Sequence, residues 1–187
     1  ERPDPVPGDG EVLIRVRAFG VNHAETHMRK GEWPEATPVS GIEAVGTVVT
    51  DRSGALAEGT RVLTIMGGLG RTRNGSYAEY TVASAANVAP IETSLDWADL
   101  AAIPESYATA WIALHGNLGL EAGQSLLVRG ATSALGQAAV NIGSDLGARV
   151  IATTRRADRA GLLRSLGADG VVIETGTIAG EVRGLLP

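Results

Sequence analysis

The sequence predicts an α/β protein in two parts: a β-rich domain over residues 1–98 and an alternating β/α domain with a parallel sheet over residues 99–187. Three observations carry this. Short β-branched runs, punctuated by Gly, Asp and Asn, fill the stretch from Val12 to Val82. The texture turns Ala- and Leu-rich near Ile91–Leu100, and from Ser125 onward strand patterns alternate with helical ones.

In the first part, Val12, Ile14 and Val16 alternate with Leu13, Arg15 and Arg17, the two-residue period of a half-buried strand. Val45–Thr50, Val62–Ile65 and Tyr77–Val82 read as further short strands, and Tyr77 and Tyr80, three apart on the last, are expected on opposite faces as core or pocket wall. Thr93-Ser94 before Leu95–Ala102 reads as a helix N-cap, and the domain boundary is placed there. Helices are then expected at Tyr107–His115, Ala134–Leu146 and Asp158–Leu166. Strands are expected at Ser125–Val128, Arg149–Thr154 and Val171–Ile173.

Composition narrows the function classes. A chain of 187 residues, 44% hydrophobic and 20% charged with net charge −5, is globular and offers no basic surface for nucleic acid or an anionic membrane. No apolar run reaches the roughly 18 residues of a membrane span, and Glu1–Gly10 lacks the pattern of a signal peptide. The expected location is the cytoplasm and the expected partner a small-molecule substrate. The chain has no cysteine, so disulfides and thiolate metal sites are excluded. It opens on Glu1 with a Pro-rich lead-in (Pro3, Pro5, Pro7) that runs into a strand, from which a missing upstream piece is expected.

The chemistry concentrates between Gln124 and Arg156. Leu126-Leu127-Val128 is an unbroken apolar run, the mark of a strand buried on both faces, and the turn of small residues Gly130-Ala131-Thr132-Ser133-Ala134 leads directly into a helix. Leu135, Ala138, Ala139, Ile142 and Leu146 recur at helical spacing, and Gly147 terminates the helix. With the strand that follows, this makes a right-handed βαβ crossover whose helix N-terminus suits a pyrophosphate. Against G-x-G-x-x-G the chain reads Ala131-x-Ser133-x-x-Gly136, keeping only the glycine required for close helix–strand packing. Gly130 through Gly136, Leu135 included, are therefore candidate dinucleotide contacts. The Ser133 hydroxyl can donate to a phosphate, and the competing reading is a βαβ unit that merely packs. Where NAD-specific folds place an acidic residue on the ribose 2′-hydroxyl, this chain has Thr154, Arg155 and Arg156, a set suited to the extra phosphate of NADPH. The competing reading is a solvated loop face.

Several segments in order resemble the medium-chain dehydrogenase/reductase superfamily, and within it the zinc-free quinone oxidoreductase (zeta-crystallin-like) branch. They are Gly10–Val16, Gly20-Val21-Asn22, Gly41–Gly46, Gly75–Tyr80 and Val128–Gly136. The resemblance implies a GroES-like β domain followed by a Rossmann domain, here incomplete because members of the family continue well beyond this point. The chain is accordingly expected to be a fragment of a larger enzyme. A three-stranded sheet with an exposed edge also invites pairing, and a homodimer is expected.

The same resemblance implies zinc-independent chemistry. The places of the catalytic zinc ligands hold Asn22, Ile42 and Glu105, and neither Asn22 nor Ile42 can replace thiolate or imidazole. Asn22-His23-Ala24-Glu25 is similar to the branch's Asn-x-x-Asp pattern lining the nicotinamide site, with Glu25 departing from the usual Asp. His27 and Trp33 fall where relatives carry aromatic pocket residues, and His27 is a candidate proton donor, set against a plain surface histidine. Thr109 resembles the residue that meets the nicotinamide carboxamide, set against a packing role in its helix. A metal site at His23-x-Glu25-x-His27 is the rival reading, but it lacks a third clear ligand. His115, before Gly116, reads as a helix C-terminal dipole partner. The function expected is NADPH-dependent hydride transfer to a quinone, enone or related activated olefin or carbonyl. The alternatives are an enoyl-thioester reductase of the same superfamily and a non-catalytic NADPH-binding protein.

Overall fold

A computed structural model describes residues 2–186, which pack as two compact units, the first ending at Glu105 and the second starting at Ser106. Among these residues no helix is long and apolar enough to cross a membrane.

The first unit is a five-stranded antiparallel sheet with strand order β4-β1-β2-β3-β5. Its strands are β1 (Glu11–Ala18), β2 (Glu43–Asp51), β3 (Arg61–Ile65), β4 (Tyr80–Ser84) and β5 (Val88–Pro90). Alternation in β1 turns Val12 and Ile14 inward, where they meet Val48, Val62 and Ala83 in a buried core. Val45 packs instead with Leu100 and Ala101 of α2 (Trp97–Ala101), which is what ties residues 97–101 to this unit. The cap of α2 is Asp96, whose carboxylate accepts from Asp99 N–H at 2.8 Å, while Thr93 accepts from Leu95 N–H at 3.1 Å. The helix thus starts later than Thr93-Ser94 suggests, because a carboxylate two residues on is the better cap.

Two further features differ from the sequence pattern. Tyr77 lies before β4 rather than on it, with its ring stacked on Phe19 at 4.4 Å. A seven-residue helix, α1 (His23–Arg29), interrupts the strands; Asn22 is its N-cap and Glu25 its capping-box partner.

β2 ends in a turn organised by Asp51, whose carboxylate accepts N–H bonds from Ser53 (2.7 Å), Ala55 (2.8 Å) and Leu56 (2.7 Å). Hydrogen bonding to Ser53 first, then to the N–H groups of Leu56 and Ala55, holds its carboxyl down to about 2. An acid depressed in the folded state stabilises the fold above its unfolded pKa, about 3.9 for Asp, and loses that contribution as pH falls through the folded value. Asp51→Asn is expected to be less stable than wild type by a constant margin at neutral pH. Denaturant titrations should show the margin shrinking between about pH 4 and pH 2; a margin independent of pH would refute the assignment.

The second unit is a three-stranded parallel sheet of order β6-β7-β8: β6 (Ser125–Val128), β7 (Arg149–Thr154) and β8 (Gly170–Ile173). Helix α4 (Ala134–Asp145) and helix α5 (Ala160–Ser165) cover one face, where Val140 and Leu163 pack on Val150, Ala152, Leu126 and Val128. Helix α6 (Ala179–Leu185) covers the other, with Val182 on Ile151 and Val172. The central strand β7 is buried on both faces, but β6 is not: Leu127 is 42% exposed. The unbroken apolar run predicts two covered faces, yet β6 lies at a sheet edge and α6 packs on β8 instead. Helix α3 (Pro104–Trp111) leads into this unit and continues as a π-helical stretch, Ile112–Asn117, in which His115 stacks on Trp111 at 3.7 Å.

Candidate functional site

In the second unit the turn from β6 to α4 brings the candidate residues from Gly130 to Gly136 together. Gly130 takes φ of 61°, a left-handed conformation suited to glycine. Ala131 is fully buried, and its N–H donates to the Thr153 carbonyl at 2.9 Å, pinning the turn to β7. Gly136 then presses onto that turn: a Cβ there would lie 2.7 Å from Ala131 Cα and 2.8 Å from the Gly130 carbonyl oxygen. Ser133 is the N-cap of α4, its Oγ accepting from Gly136 N–H at 3.0 Å. The hydroxyl proton is left to donate elsewhere. Ser133, Ala134 and Leu135 are exposed, and the first-turn N–H groups of Ala134 and Leu135 precede any intrahelical acceptor, so they suit an anion. Thr132 is half-buried, its carbonyl accepting from Gln137 at 3.1 Å.

Two residues without a sequence-level role brace this turn. Thr153 Oγ1 accepts from Gly130 N–H at 3.2 Å and donates to Glu174 at 2.5 Å, and Glu174 also receives Arg129 at 3.3 Å. Thr153, followed by Arg129, holds the Glu174 carboxyl below the usual carboxylate range. All of them lie at the carboxyl ends of the parallel strands or just beyond, where open α/β sheets bind ligands.

At the end of β7, Thr154 is buried and its Oγ1 accepts Arg156 N–H at 3.1 Å. Arg155 and Arg156 are exposed. The Arg156 guanidinium forms a two-pronged pair with Asp158 (2.7 and 3.2 Å), and this bond holds the Asp158 carboxyl low. Asp158 therefore stands as a competitor for any phosphate that Arg156 would bind.

The first unit gathers the other candidates. Asn22 Nδ2 donates to Glu43 Oε1 at 2.7 Å, and Asn22 N–H donates to Glu25 Oε2 at 2.5 Å. Glu25 is buried and accepts also from Ile42 N–H at 3.2 Å, so both its oxygens serve the backbone. Glu43, also buried, accepts from Glu105 N–H at 2.8 Å. Burial pushes the Glu43 carboxyl up, against the bonds from Asn22 and Glu105, while the charges of Glu105 and Glu25 push the same way as burial. Burial and then Glu25 raise the Tyr77 hydroxyl.

His27 pairs through Nδ1 with Glu32 and meets the His23 ring edge-on at 5.1 Å. Glu25 is buried while His23 is exposed, so the three residues of the rival metal reading do not converge. Among the described residues no group of three or more His, Cys, Asp or Glu is arranged to hold a metal ion. Trp33 lies under Arg71, 5.1 Å from guanidinium carbon to ring centroid. Thr109 is exposed on α3, next to buried Ala110.

Comparisons with known proteins agree with this geometry. The alcohol dehydrogenase GroES-like domain model matches residues 8–93. Human quinone oxidoreductase is 37% identical over 154 residues, covering 80% of this chain and 45% of that protein, so the chain spans under half its length. Erythronolide synthase EryA2 of Saccharopolyspora erythraea is 37% identical over 176 residues, 93% of this chain and 5% of the synthase. Among solved structures, mycobacterial Rv1454c complexed with NADPH superposes with a TM-score of 0.86 at 32% identity, over 99% of this chain and 57% of that one. The chain belongs to the medium-chain dehydrogenase/reductase superfamily, in its quinone oxidoreductase branch.

Proposed function

We propose that this chain binds NADPH and is the cofactor-binding part of a zinc-independent oxidoreductase acting on a quinone, enone or related activated olefin or carbonyl. The observation that carries the reading is the β6–α4 turn, where Gly136 packs on the Ala131 backbone and opens the first turn of α4 to an anion. The pyrophosphate is assigned to the N–H groups of Ala134 and Leu135 and to Ser133, and the 2′-phosphate to Arg155 and Arg156. Thr109 and Asn22 are assigned to the nicotinamide end and His27 to proton donation, with Glu25 holding the backbone of Asn22 in place. When bound, the cofactor supplies the hydride. Support comes from Rv1454c, solved with NADPH, and from the quinone oxidoreductase relatives.

A second reading, reduction of an enoyl thioester, is favoured by one observation: the alignment with erythronolide synthase runs over 93% of this chain. A fluorescence titration with NADPH and NADH, followed by turnover with a quinone panel and an enoyl thioester, separates the readings. NADPH is expected to bind at least about tenfold tighter than NADH, a difference of about 1.4 kcal/mol, and quinones to be reduced. Failure of both nucleotides to bind would remove the proposal; reduction of the thioester alone selects the second reading. Tight binding with no turnover selects a non-catalytic NADPH-binding protein.

A further inference from the structure

Glu43 is a buried carboxylate at the start of β2, 4% exposed, and its two oxygens engage two different elements. Oε1 accepts from the side chain of Asn22, the residue that opens α1, at 2.7 Å; Oε2 accepts from the N–H of Glu105, the second residue of α3, at 2.8 Å. The space for this carboxylate is built in. A Cβ on Gly20 would stand 2.1 Å from Glu43 Oε1, so only glycine at that position lets the side chain reach both donors. Its own carbonyl is held as well, accepting from the Ser76 hydroxyl at 2.5 Å.

An ionised carboxylate only accepts hydrogen bonds, so this pairing dictates which end of the Asn22 carboxamide turns toward Glu43. It must be the NH₂ end. The opposite carboxamide orientation would set a carbonyl oxygen against a carboxylate oxygen, two acceptors inside a desolvated pocket. The other bond seats the first turn of α3. One side chain thus sets the orientation of Asn22 and holds the first turn of α3.

We propose that Glu43 is a positioning residue for the nicotinamide end of the cofactor, acting through the Asn22 carboxamide. The proposal rests on the reading of Asn22 given above. It adds a residue that never touches the ligand and whose charge state decides how Asn22 is presented. Protonated, Glu43 can donate as well as accept and no longer dictates the orientation of the amide. The titratable groups facing it are Glu25, Glu105 and Tyr77.

The test reads the nicotinamide separately from the adenosine end. In the wild-type chain, bound NADPH is expected to show the enhanced emission of a sequestered nicotinamide. Glu43→Gln is expected to lose most of that enhancement while binding 2′,5′-ADP as wild type does. Asn22→Ala should lose as much, and the double variant no more than either single one, the non-additivity of residues that act as a unit. Independent losses that sum in the double variant would overturn the proposal, as would equal damage to 2′,5′-ADP binding. Should Glu43→Gln fail to fold, the wild-type chain decides by NMR. The Asn22 side-chain amide resonances must move with a titration that persists in Glu25→Gln, and resonances indifferent to pH overturn the proposal. If wild type binds no NADPH, the functional reading and the positioning role both fall. The amide titration then still reports whether Glu43 holds Asn22, which keeps the two failures apart.

Discussion

Gly136→Val is expected to abolish detectable NADPH binding and to destabilise the second unit by about 1–3 kcal/mol, the usual range for overpacking a close contact. The atoms in the way of even a Cβ are backbone: Ala131 Cα at 2.7 Å, Ala131 C at 2.8 Å and the Gly130 carbonyl oxygen at 2.8 Å. They cannot rotate aside as a side-chain tip would. Ala131 is fully buried and its N–H is bonded to Thr153, so the turn is held from behind and α4 has to give way. When it does, the Ser133 cap bond to Gly136 N–H stretches and the N–H groups of Ala134 and Leu135 leave the place where a pyrophosphate would sit. Gly136→Ala should show the same loss in smaller measure. Denaturant unfolding and NADPH titration on both variants check the expectation. An affinity for Gly136→Val within about threefold of wild type, under 1 kcal/mol, would mean that the turn is not the phosphate site.

The contrast between what the sequence made legible and what it hid follows the range of the interactions involved. Arg149–Thr154 and Ser125–Val128 are strands as they stand, because short apolar runs between glycines and polar turns admit little else. Gly136 was readable for the same reason, since its partners are Gly130 and Ala131 a few residues away. Leu127 is exposed because burial on the second face depends on what packs against it, a tertiary fact that an apolar run does not carry. The helix α1 carried a local signal, the spacing of Asn22 and Glu25 in a capping box, but seven residues among strands do not declare a period. Glu43 was present in the Gly41-Ile42-Glu43 segment without a role. Nothing in a sequence distinguishes a buried carboxylate from a solvated one, and its partners lie 21 and 62 positions away. Glu174 was invisible for the same reason, with Thr153 at 21 positions and Arg129 at 45. Asp158, by contrast, sits two residues from Arg156, and the pairing was open to inspection.

That pairing governs the second large effect. The double variant Arg155→Ala/Arg156→Ala is expected to weaken NADPH binding by about 100-fold, the product of two charge-assisted hydrogen bonds of about 1.5 kcal/mol each. NADH, which has no 2′-phosphate, should change by less than about twofold, or 0.4 kcal/mol. The two arginines contribute differently. Arg156 is already in a bidentate pair with Asp158, so a phosphate must displace that carboxylate or share the guanidinium with it; Arg155 is exposed beside it. Since the Arg156–Asp158 pair is itself exposed, breaking it costs little. Repulsion between Asp158 and a dianionic phosphate on the same guanidinium outweighs that cost. Asp158→Asn should therefore raise NADPH affinity and leave NADH alone, and the gain should shrink with added salt as the charges are screened. Titrations of both nucleotides with these variants at low and high ionic strength test this directly. Equal losses for NADPH and NADH in the arginine variant would contradict the 2′-phosphate assignment. A fall in NADPH affinity in Asp158→Asn would instead show that the carboxylate holds Arg156 in the binding geometry, making Asp158 a part of the site rather than its competitor.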